Sequence, residues 1–237
     1  TMRTDVKTQA AQKDWRKKSK LEEITYLVRM PSSWTKEKGE AAAKSRIPCV
    51  RGVIAICTWQ RDSGNLRRNL SYWDSPYKNL IKFADDNNIA VITWPNFGGY
   101  FLATSFDEMT EKQLRDYEIA FNDRLSEWET GFRRTLHRYT LPKNAVMLYG
   151  FSGGAQIAYR IALRKPQYFS GIHIHINSSY DTPTSQAKSL IWLVTTGELE
   201  YGYAAATRFY QKMIDMGYAV IFKAGENLGH DTNSQID

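Results

Sequence analysis

A chain of 237 residues has the size of one α/β domain, because single hydrophobic cores stop growing near ~250–300 residues. A composition with 42% hydrophobic and 24% charged residues excludes a disordered or fibrous protein. No apolar run reaches the ~18–20 residues that cross a bilayer. We therefore expect a soluble globular protein.

The net charge of +7 has a local excess near the start of the chain, at Lys13, Arg16, Lys17, Lys18 and Lys20. Such runs bind nucleic acid or anionic membranes in some proteins. Here the aromatic residues do not interleave with the basic ones in a single-strand-binding pattern, which favours a solvated terminal segment. We expect a basic N-terminal segment over residues 1–23, a single domain over residues 24–237, and neither a nucleic-acid nor a membrane partner.

The compartment stays open at this point. The first ten residues are polar and lack a signal-peptide core, but Thr1 precedes Met2, so both a cytoplasmic protein and an exported one with its signal removed fit. Cys49 and Cys57 lie in or beside one predicted strand, ~26 Å apart at ~3.3 Å per residue. A disulfide needs Cα atoms within about 7 Å, so two free thiols are expected.

Short apolar runs bounded by turn-forming residues predict strands at residues 24–30, 52–58, 90–94, 145–149, 171–176, 190–195 and 219–223. Helical periodicity predicts helices at residues 77–87, 111–137, 154–164 and 204–216. This alternation predicts an α/β fold with a mostly parallel central sheet and helices on both faces. The first strand is free to pair antiparallel at an edge.

Two long loops, at residues 60–76 and 96–110, each follow a strand end, at the rim where open α/β sheets bind ligands. Aromatic residues are frequent in or near them, at Trp59, Trp73, Tyr77, Trp94, Phe97, Tyr100 and Phe101. These rings either line a pocket for an aromatic or sugar-bearing substrate or pack the loops, and both interpretations stay open. Gln60, Trp94 and Phe97 are the substrate-binding candidates.

Residues 150–154, Gly-Phe-Ser-Gly-Gly, match the G-x-S-x-G pattern. The motif directly follows the strand at 145–149 and directly precedes the helical residues from 155 onward, which is the setting of a nucleophile elbow with Ser152 at its apex. The outer glycines remove side chains that would collide across the turn. At the helix N-terminus, the Gly153 amide can donate to the oxyanion of a tetrahedral intermediate. The alternative is a serine that only caps the helix.

A serine nucleophile needs a base. His230 lies in a turn after the last predicted strand, third in the chain order serine, acid, histidine, and a loop histidine can reach across the sheet edge. His137 is predicted to be a partly exposed helical residue. His173 and His175 share one face of a strand, where they either pack and hydrogen-bond or bind a metal. Further metal ligands are not identifiable, so no metal or other cofactor is expected.

The third member should be a carboxylate that orients His230. Glu200 is the first candidate, because it stands three residues past Gly197 and has cleared the strand. Glu198 is the alternative acid, and Asp181, after the preceding strand, is a further option. The alternative for each of these three residues is a solvated loop carboxylate without a catalytic role.

A second oxyanion donor is expected from the loop after the strand at 52–58. The backbone N–H of Trp59 is the first candidate and that of Gln60 the second. Together with Gly153, such a donor would complete an oxyanion hole.

Residues 149–156 (Tyr-Gly-Phe-Ser-Gly-Gly-Ala-Gln) and 166–171 (Pro-Gln-Tyr-Phe-Ser-Gly) resemble the compact esterase branch of the α/β-hydrolase superfamily. That branch includes feruloyl esterases, acetyl xylan esterases and polyhydroxybutyrate-depolymerase-like enzymes. Residues 197–201 and 228–230 resemble its acid and histidine loops, and the likeness runs from about residue 24 to residue 230. The resemblance implies an α/β-hydrolase fold.

Carried over by position, the resemblance implies Ser152, Glu200 and His230 as a catalytic triad. The chain departs from the branch in three ways. Cys57-Thr58-Trp59 replaces the usual His-Gly signature at the first oxyanion loop, and the acid is glutamate where aspartate is commoner. Only seven residues follow His230, so the usual closing helix is either missing or follows residue 237.

These observations predict a serine hydrolase that cleaves carboxylic esters through an acyl-enzyme. The stretch between residues 176 and 190 is too short for a cap domain, so we expect an open site suited to polymer- or sugar-linked esters. A serine peptidase uses the same triad and remains an alternative. So does a non-catalytic binding protein of this fold that uses the basic N-terminal segment. The sequence leaves the acyl group, the alcohol and the oligomeric state open.

Overall fold

A seven-stranded sheet organises the described part of the chain. The computed structural model describes residues 24–58, 77–94 and 110–230, so the predicted basic segment lies outside the described residues. The strands are β1 (Leu27–Arg29), β2 (Gly52–Cys57), β3 (Ile89–Trp94), β4 (Val146–Phe151), β5 (Gly171–His175), β6 (Ile191–Gly197) and β7 (Ala219–Gly225). Their spatial order is β1-β3-β2-β4-β5-β6-β7. Of these strands only β1 pairs antiparallel, with β3 at the sheet edge, and the other neighbours pair parallel. The predicted, mostly parallel sheet is confirmed.

Helices connect the strands and cover both faces of the sheet. They are α1 (Lys36–Ser45), α2 (Lys78–Asp86), α3 (Glu111–Arg138), α4 (Gly153–Arg164) and α5 (Tyr203–Asp215). α2 packs with Ile54 and Tyr149 on one face, whereas α3, α4 and α5 pack on the other. The stretch between β5 and β6 holds only a short 3-10 turn, Ser185–Ser189, so no cap domain is inserted there.

The sequence did not predict α1. Its residues Lys-Glu-Lys-Gly-Glu-Ala-Ala-Ala-Lys-Ser have little apolar periodicity, and only Ala42 is buried. Local chemistry sets its start instead, since the Thr35 hydroxyl accepts a hydrogen bond from the Lys38 backbone N–H. Such a cap supplies an acceptor for a backbone donor that the helix itself cannot pair.

An aromatic cluster fixes α3 against the sheet. The rings of Trp128 and Phe132 stack with their centroids 4.9 Å apart, and Trp94 of β3 packs on both at 5.5 Å and 5.8 Å. The Tyr26 hydroxyl donates to the carbonyl oxygen of Trp128. Trp94 is fully buried in this cluster, so the structure places it in the core and not in a substrate pocket at the rim.

Two further expectations concern the cysteines and the membrane. Cys49 and Cys57 are free thiols, as predicted, and Cys57 is buried. Among the described helices, including the 28 residues of α3, none has the length and apolar character needed to cross a bilayer.

The cluster predicts where α3 contributes stability. Phe132→Ala removes a ring with no exposed surface and should lower the free energy of unfolding by about 3–5 kcal/mol. Ile119→Ala on the same helix is the matched control, because 63% of Ile119 is exposed, and its effect should stay within about 0.5 kcal/mol. Urea unfolding followed by circular dichroism measures both, and equal losses would contradict the assignment.

Candidate active site

Ser152 occupies the sharp turn between β4 and α4. Its φ of 53° lies in the left-handed region, which residues other than glycine rarely adopt. Its backbone N–H donates to the carbonyl oxygen of His175 on β5 at 3.0 Å. The side chain makes no hydrogen bond that caps α4. The strained turn therefore leaves the hydroxyl available to a partner outside the helix.

Glycine at position 154 lets this turn lie against the neighbouring strand. A Cβ atom there would lie 2.2 Å from the carbonyl oxygen of Cys57 at the end of β2, closer than real Cβ atoms approach. Because α4 begins at Gly153, the Gly153 N–H is one of the helix donors without an acceptor inside the helix. This is the amide predicted to stabilise an oxyanion.

Ser152, His230 and Glu200 form one hydrogen-bonded chain. Ser152 Oγ lies 2.9 Å from His230 Nε2, and His230 Nδ1 lies 3.0 Å from Glu200 Oε2. The Glu200 side chain is almost fully buried, whereas that of His230 is 43% exposed. The carboxylate therefore lies behind the imidazole, and the hydroxyl lies on its other side.

The loops that carry the acid and the histidine touch through their backbones. The Leu199 N–H donates to the carbonyl oxygen of Leu228 at 2.9 Å. A Cβ atom at Gly197 would lie 2.1 Å from the same oxygen, so only glycine permits this approach. Glu200 and His230 are thus positioned by contact between the segments that follow β6 and β7.

Solved structures with a similar backbone identify the fold. A phospholipase/carboxylesterase from Dyadobacter fermentans gives a TM-score of 0.57 at 13% identity, over 89% of this chain and 91% of that one. A ferulic acid esterase from the anaerobic fungus Anaeromyces mucronatus gives 0.56 at 13% identity, over 89% and 80%. The chain has the α/β-hydrolase fold.

A thermostable esterase gives a TM-score of 0.56 at 14% identity, over 86% of this chain and 51% of that one. The chain therefore spans about half the length of that protein. No protein-family model matches the sequence, and no curated protein matches it either. At such low identities the likeness shows the α/β-hydrolase fold, and the chemistry has to be argued from the side chains of the site.

Within the α/β-hydrolase fold, the structure joins His230 to Glu200 and gives the two other candidate acids different surroundings. Glu198 is exposed, and its backbone N–H donates to the carbonyl oxygen of Gly225. Asp181 accepts hydrogen bonds from Tyr159, Arg160 and Arg164. The Asp181 carboxylate therefore belongs to an ion-pair cluster beside α4.

His173 and His175 both bond to one hydroxyl in the sheet beneath the elbow. Thr195 Oγ1 lies 2.8 Å from His173 Nε2 and 2.6 Å from His175 Nδ1. A hydroxyl has one proton and two acceptor lone pairs, so it can donate to one imidazole while it accepts an N–H from the other, or it can accept an N–H from both. The ring of Phe151 packs between His175 at 5.3 Å and His230 at 5.7 Å. The network thus supports the strand end from which the elbow projects.

Sequence reasoning missed Thr195, because its role depends on the register Ile174↔Val194 and His175↔Thr195 between β5 and β6. A threonine in a strand gives no separate signal of its own. Among the described residues, no three His, Cys, Asp or Glu side chains cluster as a metal site would need. The exposed position of His137 on α3 matches expectation.

Several predicted residues lie outside the described residues. Trp59 and Gln60 are candidates for the second oxyanion donor, and Gln60 and Phe97 are candidates for substrate binding. Their roles stay predictions. A cleft of about 550 Å³ lies between the C-terminal half of α3 and the 3-10 turn Pro166–Tyr168. Both elements lead into the N-terminal ends of strands, so the cleft is at the edge of the sheet opposite the triad.

The buried histidines predict a specific acid sensitivity. Burial lowers the pKa of His173 from its ordinary 6.5 to about 3, and His175 and Lys223 act in the same direction. The folded protein thus keeps His173 neutral, while the unfolded chain takes up a proton below pH 6.5. Stability from this residue is complete above pH 6.5 and falls as the pH drops towards 3, by about 2 kcal/mol at pH 5.

Urea unfolding at pH 7.5 and pH 5 measures this effect, and the loss between the two pH values should be smaller in His173→Gln by about 2 kcal/mol. His137→Gln, which removes an exposed histidine, is the matched control and leaves the buried network intact. An equal pH dependence in His173→Gln and the parent protein would show that His173 is not held neutral.

Proposed function

We propose that the chain is a serine hydrolase that cleaves carboxylic esters through an acyl-enzyme. The observation that carries the proposal is the chain of hydrogen bonds from Ser152 through His230 to Glu200, built on a strained turn at a helix N-terminus. The esterases with the same fold support it, although they are only distantly similar. This arrangement supports the roles of nucleophile for Ser152, base for His230 and orienting acid for Glu200.

In the proposed reaction, Ser152 Oγ attacks the ester carbonyl carbon while His230 Nε2 takes the hydroxyl proton. Glu200 accepts the Nδ1–H of His230, which fixes the tautomer and stabilises the imidazolium that forms. The Gly153 amide donates to the oxyanion, and a second donor comes from the loop after β2, with Trp59 as the first candidate.

The tetrahedral intermediate then collapses, and His230 returns the proton to the departing alcohol. A water molecule enters the same position, gives a proton to His230 and attacks the acyl carbon. As the second tetrahedral intermediate collapses, His230 returns this proton to Ser152 Oγ, which releases the acid and restores Ser152. Each proton therefore passes through the single Nε2 atom that lies 2.9 Å from Ser152 Oγ.

We propose further that the substrate is a large or polymer-linked ester, with sugar-linked esters included. The partly exposed His230 side chain and the lack of a cap domain between β5 and β6 support an accessible reaction centre. In this proposal residues 24–237 form one catalytic unit, preceded by the basic segment over residues 1–23.

The nucleophile is tested with p-nitrophenyl acetate and butyrate and with a fluorophosphonate probe. Ser152→Ala should lower kcat/KM about 10³-fold or more and abolish labelling, because no other side chain can attack the carbonyl from the elbow. Ser170→Ala, at the opposite edge of the sheet, is the matched control and should retain both. Absence of turnover and labelling in the parent protein would contradict the proposal and favour a binding protein. Faster cleavage of peptide anilides would favour a peptidase.

The acid is tested by a matched pair of substitutions on one loop. Glu200→Gln keeps the size of the side chain but removes the charge that orients His230, and kcat should fall about 10³–10⁴-fold. Glu198→Gln removes an exposed charge two residues away and should leave kcat near that of the parent protein. The reverse result would assign the role to Glu198.

A further inference from the structure

Two large apolar side chains stand exposed on either side of Glu200. Leu199 is 69% exposed and Tyr201 is 79% exposed. Single exposed apolar residues are common on protein surfaces and need no explanation. These two differ because they flank the proposed catalytic acid directly in the sequence, on the loop that holds it.

Backbone hydrogen bonds hold this loop rigidly. The Leu199 N–H donates to Leu228, the Glu200 N–H donates to Gly197 at 3.1 Å, and the Tyr203 N–H at the start of α5 donates to Glu200 at 3.0 Å. The exposure of the two side chains is therefore imposed by a fixed backbone. A surface that is already in place loses little conformational entropy when a ligand covers it.

The position of Tyr201 relative to His230 assigns the side of the ester that it meets. The two rings lie 6.2 Å apart, centre to centre, with their planes 17° from parallel. In the proposed reaction His230 gives its proton to the oxygen of the departing alcohol. A surface beside the exposed part of His230 therefore adjoins the alcohol, and not the acyl group attached to Ser152.

The charges around the two residues disfavour an anionic alcohol. Glu198 precedes Leu199 in the sequence. Its backbone N–H donates to the carbonyl oxygen of Gly225, and Glu226 is the next residue after that glycine. Both glutamates are exposed, and their charges repel an anionic group brought onto Leu199 and Tyr201.

We propose that Leu199 and Tyr201 form a subsite for the alcohol part of the ester, and that this alcohol carries no negative charge and has a ring with an apolar face. An aryl alcohol and the apolar face of a sugar ring share this chemistry. The inference rests on the proposed esterase function, because only that reaction places the alcohol beside His230.

The test keeps the acyl group constant and varies the alcohol, with ethyl acetate, benzyl acetate and an acetylated methyl glucoside as substrates. All three form the same acetyl-enzyme, so differences in kcat/KM report ester binding and acylation, up to the departure of the alcohol, and not the shared hydrolysis of the acetyl-enzyme. In Leu199→Ala/Tyr201→Ala, kcat/KM for at least one ring-bearing ester should fall about tenfold relative to that for ethyl acetate, mainly through KM. Tyr201→Phe, which keeps the ring, should preserve the parent ratio.

Ile47→Ala/Tyr139→Ala is the matched control. It removes an exposed aliphatic and an exposed aromatic side chain from connections that enter β2 and β4 at the opposite edge of the sheet, and it should leave every ratio unchanged. A selective loss for benzyl acetate identifies an aryl alcohol, and one for the glucoside identifies a sugar. Unchanged ratios with both ring-bearing esters would overturn the subsite while leaving the esterase function intact. If none of the three esters shows turnover that depends on Ser152, both proposals fail.

Discussion

The contact between Gly154 and the end of β2 is the constraint on which the site depends. Because no Cβ intervenes, the first turn of α4 lies directly against the Cys57 carbonyl. This contact holds Ser152 at a positive φ between β4 and α4 and directs the helix N-terminus towards the segment that follows β2. The proposed nucleophile and the Gly153 amide are thus brought together by backbone packing and not by a side-chain hydrogen bond.

The parallel order of the strands brings the other two side chains of the site to Ser152. β4, β6 and β7 all end at one edge of the sheet, so Ser152, Glu200 and His230 meet there although 78 residues separate the serine from the histidine. The close contact of Gly197 with Leu228 fixes the last two relative to each other. Main-chain contacts thus set the relative positions of Ser152, Glu200 and His230. The side chains then need to span only short distances to meet.

The sequence predicts those parts of the site that depend on residues close together in the chain. The elbow is contiguous, and the acid and histidine follow strands that their apolar runs reveal, so Ser152, Glu200 and His230 were predictable. The Thr195 network was not, because it requires the register of β5 and β6. Trp94 was placed at the rim because it ends a strand, whereas alternation turns its side chain into the core. α1 was not predicted because it is defined by a capping hydroxyl and a run of alanines, and it lacks apolar periodicity.

The proposed catalytic residues and the proposed substrate-binding residues differ in how they are held. The groups that would perform the chemistry are held by buried carbonyls and glycines, where substitutions disturb the fold itself. Leu199 and Tyr201 use the same rigid loop but project into solvent, and neither side chain supports the core. Substitution of an exposed side chain changes the free energy of unfolding by only about 0.5 kcal/mol or less. In the proposed subsite, substitutions of Leu199 and Tyr201 would therefore alter the alcohol preference while the positions of Glu200 and His230 stay as they are.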